Sequence, residues 1–304
     1  MTDPYRTAVS FWRETFTLEG AATLRVLPTV LAFGAIAGLI CLVQHKVGAD
    51  LGIPVGPHEI AGAFLGVLLA LRTNTSYDRW WEARKLWGGI VNQSRNLTLG
   101  ALAYGPADAA WRARVVRWTA AFAHAACAQL RNERDVPELV ALLGKEQADR
   151  VTAAEHMPSC VALELAGLLR QGRSLGLSDF AFLAAERERA GLIDHVGGCE
   201  RIRNTPLARV YSLATRRFIF GFLVLLPFAL LHKFNAEWDD WLVVLVTMLV
   251  AYVLVSLDQI GLELQQPFYR RSLSHLPLDD ICRNIERDLF ALLEQAGQSA
   301  KEAR

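Results

Sequence analysis

The chain has 304 residues, 52% of them hydrophobic, with a mean hydropathy of +0.22 and a formal net charge of +1. That length suits one large domain or two ordinary ones, the apolar content exceeds that of most soluble domains, and the near-zero charge sets up no field favouring nucleic acid. The five cysteines (Cys41, Cys127, Cys160, Cys199 and Cys282) are odd in number and scattered, with no CxxC and no neighbouring His pair. This argues against a zinc site and a disulfide framework, and for free thiols in a reducing compartment.

The first residues, MTDPYRTAVSFWRETF, are polar and amphipathic and do not read as a cleavable signal peptide. Phe11, Trp12, Phe16 and Arg13 suggest a short helix lying in a membrane interface over residues 1–23, with an ordinary solvated tail as the alternative. Leu24 to Val43 is long and apolar enough to span a bilayer. Arg25 sits near its start, placed to snorkel to the headgroups, and Pro28 lies in its early turns. Val47 to Pro57 holds three glycines and two prolines and reads as a turn.

The next apolar run, His58 to Leu71, is shorter than a full span and rich in small residues: Ala61, Gly62, Ala63, Gly66 and Ala70. Such a helix is mismatched to lipid and suited to close approach by other protein, so an oligomer is expected. It runs straight into RTNTSYDRWWEARKLWG, Arg72 to Gly88, where indoles and basic residues follow directly on apolar sequence. We read one continuous helix leaving the bilayer near Arg72, with Trp80 and Trp81 at the interface. A soluble helix with tryptophans in its core is the alternative.

From Asn92 to Gly197 the pattern is amphipathic and helical. Trp111 to Arg131 places Val115, Trp118, Phe122 and Ala126 on one face, and Glu138 to Arg150, Cys160 to Gln171 and Phe180 to Ile193 read likewise. No alternation of period two, phosphate loop, HExxH or nucleophile elbow occurs. His124, His156 and His195 are isolated, and no metal role is assigned to them. Phe218 to Leu231 and Trp241 to Leu257 are two further spans, the first following Arg216-Arg217 and the second preceding Arg270-Arg271. Four spans with this basic bias place both termini in the cytoplasm. Residues from Gln295 onward look disordered.

Three strings, RTNTSYDRWWEARKLWG, CERIRNTPLARVY (Cys199 to Tyr211) and LELQQPFYRRSLSHLPLDDICRNIERDL (Leu262 to Leu289), resemble the bestrophin family in its bacterial branch, over roughly Phe11 to Leu293. The resemblance implies an all-α fold: a pentameric channel with a central pore, four transmembrane helices per subunit and a large cytosolic helical domain. It implies that Arg79, Trp80 and Trp81 are the family motif and that Ala63, Val67 and Leu71 form an apolar pore neck. Ala and Val stand there where the family often has bulkier residues, which implies a wider or less strongly dewetted neck. Leu207, after Pro206, becomes a cytosolic aperture. Ala208 and Arg209 depart from the family pattern there; Arg209 either adds charge near the exit or, in the favoured reading, pairs away from the axis. Animal members bind calcium through an acidic cluster after a PF pair; here Tyr269, Arg270 and Arg271 follow Pro267-Phe268, so no calcium clasp is expected, and Asp279 and Asp280 suit the first turn of the next helix.

The expected organisation is an interfacial helix (1–23), spans one and two (24–71), a cytosolic helical domain (72–212), spans three and four (213–257) and a cytosolic C-terminal helix and tail (258–304). The expected function is a homopentameric passive ion channel of the bacterial inner membrane, not an enzyme, with no cofactor, no metal and no nucleic-acid partner. Its partners are its own copies, the lipid bilayer and permeant monovalent ions. Chloride is the family-level choice. The alternatives are a monovalent cation (sodium) channel, as in the bacterial branch, and a membrane-anchored helical scaffold without conductance.

Overall fold

A computed structural model describes residues 23–48, 51–207, 209–233, 240–270, 272 and 274–302. The interfacial helix expected over residues 1–23 lies, but for its last residue, outside the described residues. All regular structure among them is α-helical: α1 Thr23–Val47, α2 Val55–Tyr104, α3 Ala109–Arg131, α4 Pro137–Leu143, α5 Lys145–Ala153, α6 Met157–Ser174, α7 Asp179–Asn204, α8 Arg209–Lys233, α9 Asp240–Leu264 and α10 Leu278–Glu302. Four of them, α1, α2, α8 and α9, are long and apolar enough to cross a membrane. Two compact units are formed, one from Met1–Asp78, Pro206–Gln265 and Arg271–Ser274, the other from Arg79–Thr205, Gln266–Arg270 and His275–Arg304. The 50-residue helix α2 contributes to both.

In the first unit, α1 packs along α9. Val26, Val30, Phe33, Ala37 and Cys41 recur every three or four residues and form its buried stripe, while Leu24, Leu31, Leu39 and Leu42 stay exposed. Gly34 lies where any Cβ would come within 2.8 Å of Met248, so a bare backbone is what lets the two helices meet there. The turn between α1 and α2 is pinned by the Ile53 amide, which donates to the Phe228 carbonyl at 3.1 Å. Helix α2 begins at Val55, so Gly56 and Pro57 belong to its first turn rather than to the connection. Proline is tolerated there because first-turn amides have no intrahelical acceptor.

The second unit is built around α3. Val115, Trp118, Phe122 and Ala126 are buried as expected and Arg114 and Arg117 stay exposed, but from Trp118 to Ala128 the helix is buried on its other sides as well. Such a helix is enclosed by its neighbours, here α4, α6 and α10. Asp108 caps its start, accepting from the amides of Ala110 and Trp111, and Asn132 ends it in the left-handed conformation at φ 59°. The Trp111 indole N–H donates to the Leu168 carbonyl at 2.8 Å. The stretch expected as one helix from Glu138 to Arg150 is two, because Gly144 at φ 81° breaks the chain between α4 and α5. Helix α7 runs past Ile193 to Asn204, so Cys199 to Asn204 form its last turns. Helix α10 continues to Glu302, which corrects the expectation of disorder from Gln295; its first turn carries Asp279 and Asp280 as expected.

Candidate ion pathway

Helix α2 carries the expected neck. At 3.6 residues per turn, Leu65, Leu69, Arg72 and Ser76 share one face, and all four are buried within the first unit. Ala63, Val67 and Leu71 lie on the opposite face, and all three are exposed in the single chain. The same exposed face carries Glu59 before them and Asp78 after them. An apolar stripe therefore stands between two carboxylates, on a helix that already buries its other side. Among the small residues of this helix, Gly62 packs closely inside the unit, its position lying 3.2 Å from the Phe222 ring if a Cβ were present, whereas Gly66 faces open space. The remaining alanines, Ala61 and Ala70, are exposed.

Arg72 belongs to a buried ionic network. It is 1% exposed and pairs with Asp258 of α9, which also receives Arg216 Nε at 3.0 Å. Arg72 Nε and Nη2 find no hydrogen-bond partner among the described residues. The Ser76 hydroxyl donates to the Arg72 carbonyl at 3.0 Å and accepts from Gln265 Nε2 at 3.3 Å. Arg25, near the start of α1, pairs with Glu263, near the same end of α9. This buried ionic network was missed from the sequence. A lone acid, Asp258, directly following the apolar run that ends at Leu257, was the available signal, since an unpaired carboxylate there would be costly.

Arg79 closes off the end of α7. Its Nη2 donates to the Ile202 carbonyl at 2.6 Å and its Nη1 to the Thr205 carbonyl at 2.8 Å. These carbonyls lack intrahelical donors, and a guanidinium satisfies both while favouring the negative end of the helix dipole. Glu82, one turn on, accepts from Arg201 at 2.9 Å. The motif thus ties α2 to the last turn of α7, immediately before Pro206 and Leu207. Leu207 is half-buried at the bend between α7 and α8. The side chain of Arg209 lies outside the described residues. Tyr211, in the first turn of α8, donates its hydroxyl to the Leu68 carbonyl at 3.4 Å.

The tryptophans divide. Trp81 is exposed, Trp80 packs against the core of the second unit, and Trp87 is fully buried in that core. Trp87 is therefore a core residue of the second unit.

At the PF segment, Phe268 is buried and its carbonyl accepts from Arg131 Nε at 3.2 Å. Asp279 accepts from Arg131 Nη1 at 2.7 Å and Arg270 Nη2 at 2.9 Å, and Arg270 Nε also pairs with Glu133 at 3.2 Å. Guanidinium groups thus occupy the space between these carboxylates. Burial tends to raise the Asp279 carboxyl pKa, but the Arg131 hydrogen bond and the charges of Arg131 and Arg270 outweigh it and hold the group below its ordinary value. The five cysteines are free thiols. Burial, reinforced by Glu200 and Glu82, pushes Cys199 up to about 12, so it stays neutral. His124 faces Glu286 at 2.9 Å and His156 faces Glu200 at 2.8 Å, each as one half of a pair.

The profile of the family described as Bacterial/Fungal Bestrophin protein matches residues 3–291. Among curated relatives, the voltage-dependent anion channel-forming protein mll4386 of Mesorhizobium japonicum is 31% identical over 283 residues, covering 92% of this chain and 89% of its own length. The voltage-dependent anion channel-forming protein YneE of Escherichia coli K12 is 32% identical over 248 residues, covering 81% of this chain and 79% of its own. A crystal structure of a bacterial bestrophin homologue from Klebsiella pneumoniae superposes with a TM-score of 0.78 at 29% identity, over 90% of this chain and 99% of that one.

Proposed function

The chain belongs to the bacterial and fungal bestrophin family, and we propose that it is a passive membrane channel conducting anions of the chloride type. The observation that carries this reading is the exposed stripe of Ala63, Val67 and Leu71 on α2, opposite the buried Leu65, Leu69 and Arg72. A helix with one face packed in its own subunit and a second apolar face open is suited to line an axis shared with other copies. Five copies, by family membership, turn each stripe position into a ring. An apolar ring passes ions by brief desolvation and offers no strong binding, so flux is driven by the electrochemical gradient alone. Leu207 supplies a second ring at the cytosolic mouth, held in register by the Arg79 clamp on the carbonyls just before it.

The same reading places the chain in the bacterial inner membrane with both termini inside, with spans at 24–71 and 213–257 and cytosolic segments at 72–212 and 258–304. Arg25, Arg72, Arg216 and Arg217 all belong to the membrane-helix ends that this orientation puts inside.

Glu59 and Asp78 favour a second reading. Carboxylates on the neck face, one at each end of the apolar stripe, concentrate cations rather than anions. Monovalent cation conduction, sodium in particular, is therefore the rival within the same architecture. Flux from liposomes containing the pure protein separates them. Chloride-driven flux that persists when sodium is replaced by a bulky impermeant cation supports the anion channel. Flux that follows sodium and ignores chloride replaces it with the cation channel. No flux under either gradient leaves a helical scaffold.

A further inference from the structure

Helices α3 and α10 bring two of the five cysteines together. The Cys282 thiol, 1% exposed, donates to the Ala123 carbonyl at 3.3 Å. In an α-helix that carbonyl is the acceptor for the amide four residues on, so Cys282 meets α3 directly beside Cys127. The two thiols are also within hydrogen-bonding reach of one another, and both line one cavity of about 310 Å3. The exposed Asp135, Glu138 and Arg283 line the same cavity, so it opens to solvent. All of these residues belong to the second unit.

The two sulfurs differ in what surrounds them. Contact with Cys127 and burial hold the Cys282 thiol well above its ordinary pKa, with Asp279 adding to the effect and Arg131 opposing it, so Cys282 stays protonated. Cys127 lies one turn before Arg131 on α3. Burial works against the Arg131 guanidinium charge, but its hydrogen bond to Asp279 and the charge of an ionised Cys127 outweigh burial and hold the group above its ordinary value. That attraction acts both ways, so the guanidinium stabilises negative charge on the Cys127 sulfur. Its Nη2 finds no hydrogen-bond partner among the described residues, on a side chain only 2% exposed. One thiol is thus placed to attack, and its protonated neighbour to follow.

We propose that Cys127 and Cys282 are an oxidisable dithiol, which hydrogen peroxide converts to a disulfide that ties α10 to α3. The Cys127 thiolate attacks one peroxide oxygen; the O–O bond breaks and hydroxide leaves, taking up the proton that Cys127 released, so Cys127 becomes a sulfenic acid. The Cys282 sulfur then attacks the Cys127 sulfur; the S–S bond forms, the S–O bond breaks, and the departing hydroxide takes the Cys282 proton. Two thiols and one peroxide give one disulfide and two waters, the sulfurs losing the two electrons that the peroxide gains. A small thiol reductant reverses the change. The step rests on the second unit alone and is independent of which ion, if any, the chain conducts.

The test uses the full-length protein in detergent, fully reduced, exposed to hydrogen peroxide and then unfolded without reductant. Maleimide-reactive thiols should fall by two, from five to three per chain, and the Cys127 and Cys282 peptides should appear as one linked species that dithiothreitol separates. The oxidised chain should also melt higher than the reduced one, because the cross-link restricts the unfolded chain. Cys282→Ser removes the resolving sulfur, so oxidation should stop at a sulfenic acid on Cys127 that dimedone traps. Cys127→Ser should leave Cys282 unlabelled by dimedone. The cross-link in the unmodified protein decides the matter even if a variant fails to fold. A thiol count that stays at five, or that falls through the half-exposed Cys160 while Cys127 and Cys282 remain unlinked, would overturn the proposal. Dimedone labelling of Cys282 in Cys127→Ser as strong as that of Cys127 in Cys282→Ser would overturn the roles assigned to the two sulfurs.

Discussion

The two units of this chain are stabilised in different ways. The second unit has one continuous core, in which Trp111, Phe122 and Leu130 of α3 are buried together with Trp87 and Leu165. Among the described residues the first has two small clusters: Phe33, Leu65, Leu69, Ile219, Leu223, Leu226 and Ala251 in one, Cys41, Leu231 and Val243 in the other. Many of its large apolar side chains, Leu39, Phe64, Val67 and Leu249 among them, face outward. A unit built for water must bury its apolar surface inside itself. A unit with membrane-spanning helices leaves that surface outside, and its packing rests on close small-residue contacts such as Gly34 against Met248 and on a few buried polar pairs.

Substitutions in the two units should therefore behave differently. The largest effect is expected from Trp87→Ala, which empties a fully buried indole from the second unit's core and should cost about 3–5 kcal/mol. The partner substitution, Val67→Ala on the exposed stripe, should leave the melting temperature unchanged while altering conductance. Thermal unfolding of both variants in one detergent checks the pair. Equal destabilisation would show that the stripe is packed like a core and does not face an open axis.

Next in size is Asp258→Asn. It leaves the buried Arg72 without its carboxylate, in a unit with little other core to compensate, and should cost about 3 kcal/mol. Asn still offers an oxygen to Arg72 and Arg216, which keeps the loss near the low end for a broken buried pair. An unchanged melting temperature would mean that Arg72 is solvated by something other than Asp258.

The contrast between the units also sets what could be read from the sequence. Apolar run length gave the four spans, and α2 runs unbroken through Arg72 as expected. The chain strings around Trp80, Pro206 and Pro267 carried the family. Long-range polar pairing was not legible: nothing local says that Asp258 faces Arg72 and Arg216, 186 and 42 residues away, or that Arg25 meets Glu263. Burial of α3 on all sides from Trp118 to Ala128 was also hidden, because its many alanines weaken the contrast between its faces. The burial of Trp87, one turn beyond Trp80 and Trp81, was hidden for a similar reason, since indole suits both a core and a headgroup layer. The split at Gly144 needed a backbone angle that a lone glycine in an amphipathic stretch does not announce.

A smaller effect on stability is expected at Leu207. The side chain is half-buried at the bend before α8, so truncation removes only part of a buried leucine's contribution. If it forms the cytosolic ring, Leu207→Ala widens that ring in every subunit at once. Single-channel current should rise and discrimination among ions of different size should fall, with the oligomer's melting nearly unchanged. Lowered melting with unchanged current would make Leu207 a packing residue and move the second constriction elsewhere.

The smallest effect belongs to the second unit's own ionic cluster, where Asp279 lies between Arg131 and Arg270. This cluster is the counterpart of the Arg72–Asp258 network, but Asp279 keeps 45% of its side chain accessible, so solvent screens it. Its folded pKa lies below the ordinary 3.8 because the hydrogen bond and charges of the two arginines outweigh desolvation. A carboxylate depressed on folding adds stability that is fully present above its unfolded pKa and is lost as pH falls through the folded one. The start of α10 should therefore be held equally well across neutral and mildly acidic conditions and loosen only below about pH 4. Comparing the melting of the unmodified protein and Asp279→Asn across pH isolates the contribution. The gap between them should be small and constant near neutrality and close as the carboxylate of the unmodified protein takes up its proton. A gap that widens on acidification has the wrong sign for a depressed carboxylate. It would mean that Asp279 is better tolerated neutral, and that Arg270 is held in place by Glu133 instead.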